Sequence, residues 1–139
     1  MVEFRRDPND WLHRFSPAEW IRAALGELRH AAAAYERRDM RAGAAGVQRA
    51  AGMSLNAVLL VEPNPAWGRT YVEHVVALAD DPTVPEAVRA ACHTVLDAKA
   101  PSSGVVSLRT PRASERAVDA AHDVIAHAWA VVKRHEPTG

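Results

Sequence analysis

Apolar and polar positions along this chain repeat with helical spacing from one end to the other. The plainest case is Gly43–Glu62, GAAGVQRAAGMSLNAVLLVE, which has no proline and almost no charge. Ala44, Val47, Ala51, Leu55 and Val58 fall together on one helix face. Ala50, Met53, Ala57, Leu60 and Val61 widen the apolar arc past half the circumference, leaving Arg49, Gly52 and Asn56 as a narrow polar or small stripe. A helix this apolar is normally enclosed by others, so the pattern predicts the central post of a bundle.

The flanking segments predict its neighbours. Residues 1–15 form an N-terminal arm in which Asp7-Pro8 can start a short helical turn and Trp11, Leu12 and Phe15 share one side. Such an arm docks on its own bundle or contacts a second chain. Ser16-Pro17-Ala18-Glu19 carries the signature of a capping box, opening a helix to about Arg38 with a stripe of Ile21, Ala24, Leu25, Leu28, Ala32 and Tyr35, flanked by Trp20. Asp39 can cap the central helix, and so short a link makes the two helices antiparallel neighbours.

Pro63-Asn64-Pro65 ends the central helix. A third helix is expected from about Pro65 to Ala79, burying Trp67, Tyr71, Val75 and Leu78. Asp80-Asp81-Pro82 is a turn, and Thr83-Val84-Pro85-Glu86 repeats the capping pattern before a fourth helix to about Ala98, with Val88, Ala91, Val95 and either Leu96 or Cys92 inward. Lys99–Arg112 is irregular, with prolines and Ser-Ser-Gly. Ser114 is expected to cap a last helix to about Arg134 with Val118, Ala121, Ile125, Ala128, Trp129 and Val132 inward, and residues 135–139 form a frayed tail. The expectation is one all-α domain over residues 16–134, an up-and-down bundle of four to five helices.

Composition adjusts this picture little. Alanine dominates, as befits helix. With 17 basic and 17 acidic residues the net charge is zero, which argues against a dedicated DNA-binding surface. The single cysteine, Cys92, allows no internal disulfide, the N-terminus has no apolar signal core, and the wholly apolar run Ala57–Val61 is too short to span a bilayer. A cytoplasmic protein without membrane contact is expected.

Candidate chemistry is sparse. Arg116, Asp119, Asp123 and His127 share the outer side of the last helix. Asp119/His122 and Glu27/His30 each resemble half of a carboxylate–histidine metal pair, but on the wheel these groups face away from the bundle interior, so no metal and no cofactor are expected. Solvated ion pairs such as Arg116 with Asp119 or Asp123 account for that face. His93 follows Cys92, yet adjacent helical residues diverge, and Cys92 reads as a small core residue.

Gln48–Leu60, QRAAGMSLNAVLL, resembles the second helix of HEPN domains, small all-helical modules of prokaryotes. The matching positions are Ala50, Gly52, Leu55, Asn56 and Ala57, although the family tends to have glutamate and lysine where this chain has Gly52 and Asn56. Tyr71–Leu78 is similar to the family's short third helix, and Leu108-Arg109-Thr110-Pro111 to its arginine–proline loop. The alanine-rich last helix, with Trp129 near its end, also fits.

The resemblance implies a homodimer that acts as a non-catalytic interaction module, partnering a nucleotidyltransferase-type protein or another component of a toxin–antitoxin or defence system. It also implies an alternative, a metal-independent ribonuclease acting on RNA through an arginine and a histidine with a few residues between. Arg6/His13, Arg69/His74 and Arg116/His122 all have roughly that spacing, a number that chance supplies in a chain with 7 histidines. Only Arg116 and His122 lie where the family's motif tends to sit, with Ala117 in place of its usual polar residue. In that reading His122 takes the acid–base role and Arg116 stabilises phosphorane charge. A structural bundle within a larger assembly is a third reading.

Overall fold

The computed structural model describes residues 10–98 and 110–136. Among them every regular element is helical: α1 (Pro17–Glu36), α2 (Met40–Val61), α3 (Tyr71–Ala79), α4 (Glu86–Leu96) and α5 (Thr110–Arg134), with single 3-10 turns at Trp11–Arg14 and Pro65–Trp67. The protein is thus an all-α bundle. Asp7-Pro8, most of the irregular stretch and the last tail residues lie outside the described residues.

α1 begins where its capping box says it should. Ser16 Oγ accepts from the Glu19 N–H at 3.2 Å, and Glu19 Oε1 accepts from the Ser16 N–H at 2.8 Å. Its buried stripe is Trp20, Ile21, Ala24, Leu28, Ala31 and Ala34, turned toward Trp20 relative to the expected one. Leu25, Ala32 and Tyr35 are only half-buried. Trp20 explains the rotation. Its indole Nε1 donates to the Leu12 carbonyl at 2.8 Å, Phe15 meets its ring edge-on at 4.9 Å, and Trp11 lies at 5.8 Å. The described part of the arm therefore docks on its own bundle.

Arg38, at φ 64°, turns the chain through a left-handed position, and Asp39 accepts from the Ala42 N–H to open α2. α2 starts at Met40, ahead of Gly43, because that cap lies upstream. It packs on α1, α5 and α3. Gly46 lets α1 approach: a Cβ there would lie 2.8 Å from Ala31 Cβ. By length and composition α2 could cross a membrane, yet most of its surface is covered by the other helices.

The expected single helix from Pro65 to Ala79 is two elements. Asn64 caps the short Pro65–Trp67 turn, Gly68 adopts φ 74°, and the extended Thr70 accepts from the Glu73 N–H at 3.1 Å to start α3. A positive φ followed by an extended cap cannot continue a helix. Trp67, Val75 and Leu78 are buried as expected, whereas Tyr71 is half-buried.

Thr83 does not cap α4. Its hydroxyl and its N–H both donate to Asp81 Oδ1, at 2.6 and 2.9 Å, closing the turn, and Pro85 takes the cap position without a side-chain bond. α4 ends at Leu96, and Gln48 of α2 explains where. Its Nε2 faces the carbonyls of Val95 (3.3 Å), Leu96 (3.4 Å) and Ala98 (2.9 Å) and donates to this cluster, adding to the backbone bond that Val95 already accepts from the Ala98 N–H.

α5 starts at Thr110 instead of after Ser114. Ser114 is an interior helical position, buried with its hydroxyl 3.9 Å from Met40 Sδ. Ala117, Ala121, Val124, Ala128, Val131 and Val132 are buried on this helix. Trp129 lies at the edge of that face, 38% exposed, with Lys133 Nζ 5.3 Å over its ring.

Candidate functional site: α5 and the seam between α2 and α3

The outer face of α5 is as open as its pattern predicts. Arg116, Asp119, His122 and Asp123 are exposed, and His127 is half-buried. Arg116 and His122 lie on one unbroken helix. Six residues of α-helix separate them by about 9 Å of rise and about a third of a turn, so one chain does not bring the two groups together. Among the described residues neither side chain makes a hydrogen bond or ion pair, and the anticipated pairing of Arg116 with Asp119 or Asp123 is not formed. His127 has its pKa lowered, first by burial and then by Arg134, with Glu62 opposing.

The carboxylate–histidine pairs do not assemble either. Glu27 is engaged by Arg49, whose Nε and Nη2 both donate to its Oε1, the former at 2.8 Å. Among the described residues no group of three or more His, Cys, Asp or Glu is placed to hold a metal ion. Cys92 is fully buried and its thiol is pushed up to about 12 by burial, so it behaves as a core residue and not as a nucleophile.

The densest polar arrangement lies elsewhere, where α2 crosses α3. The stripe of Arg49, Gly52 and Asn56 does not face solvent along its length. Arg49 is exposed at one end, and Gly52 and Asn56 are buried. A Cβ on Gly52 would lie 2.2 Å from Tyr71 Cβ and 2.6 Å from its Cα, so only glycine allows α3 this close. At the outer end Tyr71 feels Arg14, Arg49 and Glu27. Burial raises its phenol pKa, the two arginines pull it down, and Glu27 adds to the rise.

At the inner end sits His74, 2% exposed, one turn after Tyr71. Its Nε2 lies 3.3 Å from the Gly68 carbonyl, and Trp67 stands 6.3 Å from its ring. Burial lowers its pKa, partly offset by the carbonyls of Gly68 and Gly52 and by Glu73. The signal for His74 was in the sequence: Tyr71, His74, Val75 and Leu78 occupy i, i+3, i+4 and i+7, the spacing of one buried face. Arg69, which shares the arginine–histidine spacing with it, is exposed. No family model, no curated protein and no solved structure matches this chain.

Proposed function

We propose that this chain is a non-catalytic interaction module, a HEPN-like helical bundle that works as a homodimer or beside a nucleotidyltransferase-type partner in the cytoplasm. The observation that carries this reading is the exposure of large apolar side chains on separate helices. Val72 and Val76 on α3 are 44% and 41% exposed, and Trp129 on α5 is 38% exposed. Val72 and Val76 stand one turn apart and form a short ridge. α3 and α5 do not touch, so the Val72–Val76 ridge and Trp129 are two separate apolar spots, each a candidate contact point for another protein.

The test is the assembly state and partner content of the protein purified from its native host. A stable homodimer or a stoichiometric partner is expected, with Trp129→Ser or the pair Val72→Asp and Val76→Asp releasing it. A monomer that carries no partner in either form rejects the reading.

A metal-independent ribonuclease is the second reading, favoured by the accessibility of both Arg116 and His122. In one chain the two diverge, so this activity requires a dimer that places the arginine of one copy near the histidine of the other. His122 would then take the proton from an attacking ribose 2′-hydroxyl while Arg116 stabilises the charge on phosphorus. RNA cleavage in the presence of a chelator, lost in His122→Ala, is its expected signature, and intact RNA after incubation removes it.

A further inference from the structure

α3 is nine residues long, too short to persist in water by itself. It is jointed at both ends. Gly68, at φ 74°, and the extended Thr70 precede it, and the turn closed by Asp81 and Thr83 follows it. It packs on α2 and α4, and its buried residues are His74, Val75, Leu78 and Ala79.

One member of that seat can take up a charge. The Gly68 carbonyl, 3.3 Å from His74 Nε2, can only accept, so Nε2 carries the proton of the neutral ring. A second proton goes to Nδ1, a buried atom without a hydrogen-bond partner.

The surroundings compensate an imidazolium poorly. The Pro65–Trp67 turn brings the Trp67 indole, 6.3 Å away, and the Gly68 carbonyl already in use, while Arg69 is exposed. From α2 comes the Gly52 carbonyl, which already serves as an acceptor inside that helix; Arg49, with Glu27 of α1, acts on Tyr71 at the outer end of the seam. On α4 the buried titratable group is Cys92, whose thiol stays neutral; Arg89 donates to the Val84 carbonyl, and His93 is exposed. On α3 itself Glu73 favours the charged ring, but its carboxylate is exposed and engaged by Thr70. Burial outweighs the two carbonyls and Glu73.

We propose that α3 is an acid-released flap: a proton taken up at His74 Nδ1 frees α3 from α2 while the rest of the bundle stays assembled. α4 keeps its own hold on α5 and, through Gln48, on α2. In the released helix His74 meets water and holds the proton at the ordinary histidine value. The open population therefore rises by up to about tenfold for each pH unit below about 6.5. Val72 and Val76 stand exposed on the same helix, so a partner held there would be shed in acid. That consequence rests on the interaction reading above; the release itself does not.

The test is amide hydrogen exchange on the full chain without a partner, from about pH 7.5 to about 5, corrected for intrinsic exchange rates. The α3 amides should be less protected than those of α2 throughout, and their protection should fall by up to about tenfold per pH unit below about 6.5. Protection in α3 equal to that in α2 at every pH means that acid unfolds the whole chain, and overturns the proposal. So does α3 protection that is flat with pH. His74→Gln keeps a donor for the Gly68 carbonyl but does not titrate, and it should flatten the fall; an unchanged slope rejects the assignment. Should that variant not fold, His127→Gln decides: the α3 slope should persist there, and its loss overturns the proposal.

Discussion

α2 is held by α1 on one side and by α3 on another, and the two contacts are built differently. Against α1 it presents small groups to small groups, with Gly46 beside Ala31, over a core of Trp20, Leu28, Val47 and Leu55. Against α3 it presents a seam with a charged rim of Arg49 and Glu27, a crossing at Gly52 with no spare room, and a buried polar end at Asn56 and His74. The first contact is tolerant, since apolar side chains of the right size can repack. The second is specific, because the missing side chain at Gly52 admits Tyr71 at that one position.

The largest expected effect comes from closing the tight crossing. Gly52→Leu drives a side chain into Tyr71 and should cost about 3 kcal/mol, at the upper end of overpacking penalties. Urea denaturation measures it, with hydrogen exchange showing the loss concentrated in α3. Unchanged thermal stability and oligomeric state would mean that the crossing is looser than the geometry says.

Acid should weaken the seam next. Burial holds the folded-state pKa of His74, and that of His127, below the ordinary histidine value of about 6.5. The unfolded chain therefore binds protons first as the pH falls through that value, and stability declines from about pH 6.5 downward. In His74→Gln the slope of stability against pH should be shallower over that window. A slope identical to the parent's would assign the acid sensitivity to His127 or another group.

Gly26 is the opposite case on α1. A Cβ there meets only Arg29 Nη2, at 3.6 Å, so Gly26→Ala should raise stability by about 0.5–1 kcal/mol through helix propensity and chain entropy. A thermal melt reads the gain. The smallest effect belongs to the exposed rim: Arg49→Gln should lose about 0.2–1 kcal/mol, and the loss should shrink in high salt.

The same contrast explains what could be read from the sequence. The all-α class, the antiparallel α1–α2 pair, the Ser16 capping box and the Asp39 cap are local patterns, and they are present as read. Positions decided by competition between partners were not legible. Thr83 has cap chemistry, but Asp81 lies closer and takes it. Ser114 has it too, but α5 had already begun. Trp129 falls at the border of the apolar face, where spacing alone does not separate inward from exposed. The stripe of Arg49, Gly52 and Asn56 was visible as a stripe, yet which side of it meets a helix depends on Tyr71, which lies beyond a proline break and a positive-φ glycine. For the site, Arg116 and His122 could be named from spacing, and their separation of about a third of a turn followed from a helix expected to begin at Ser114; the start of α5 at Thr110 leaves both residues on that one helix.

Gln48 adds a kinetic consequence. The carbonyls at the end of α4 are capped by a residue 47 to 50 positions earlier in the chain. α4 has no side-chain cap at its start and is only eleven residues long, below the length at which an isolated helix persists in water. Its last turn therefore gains the Gln48 bonds, beyond its own backbone caps, only once α2 has formed and docked. α4 is thereby expected to be a late folder, joining a transition state already built from α1 and α2 and showing low φ-values beside high ones in the central helix.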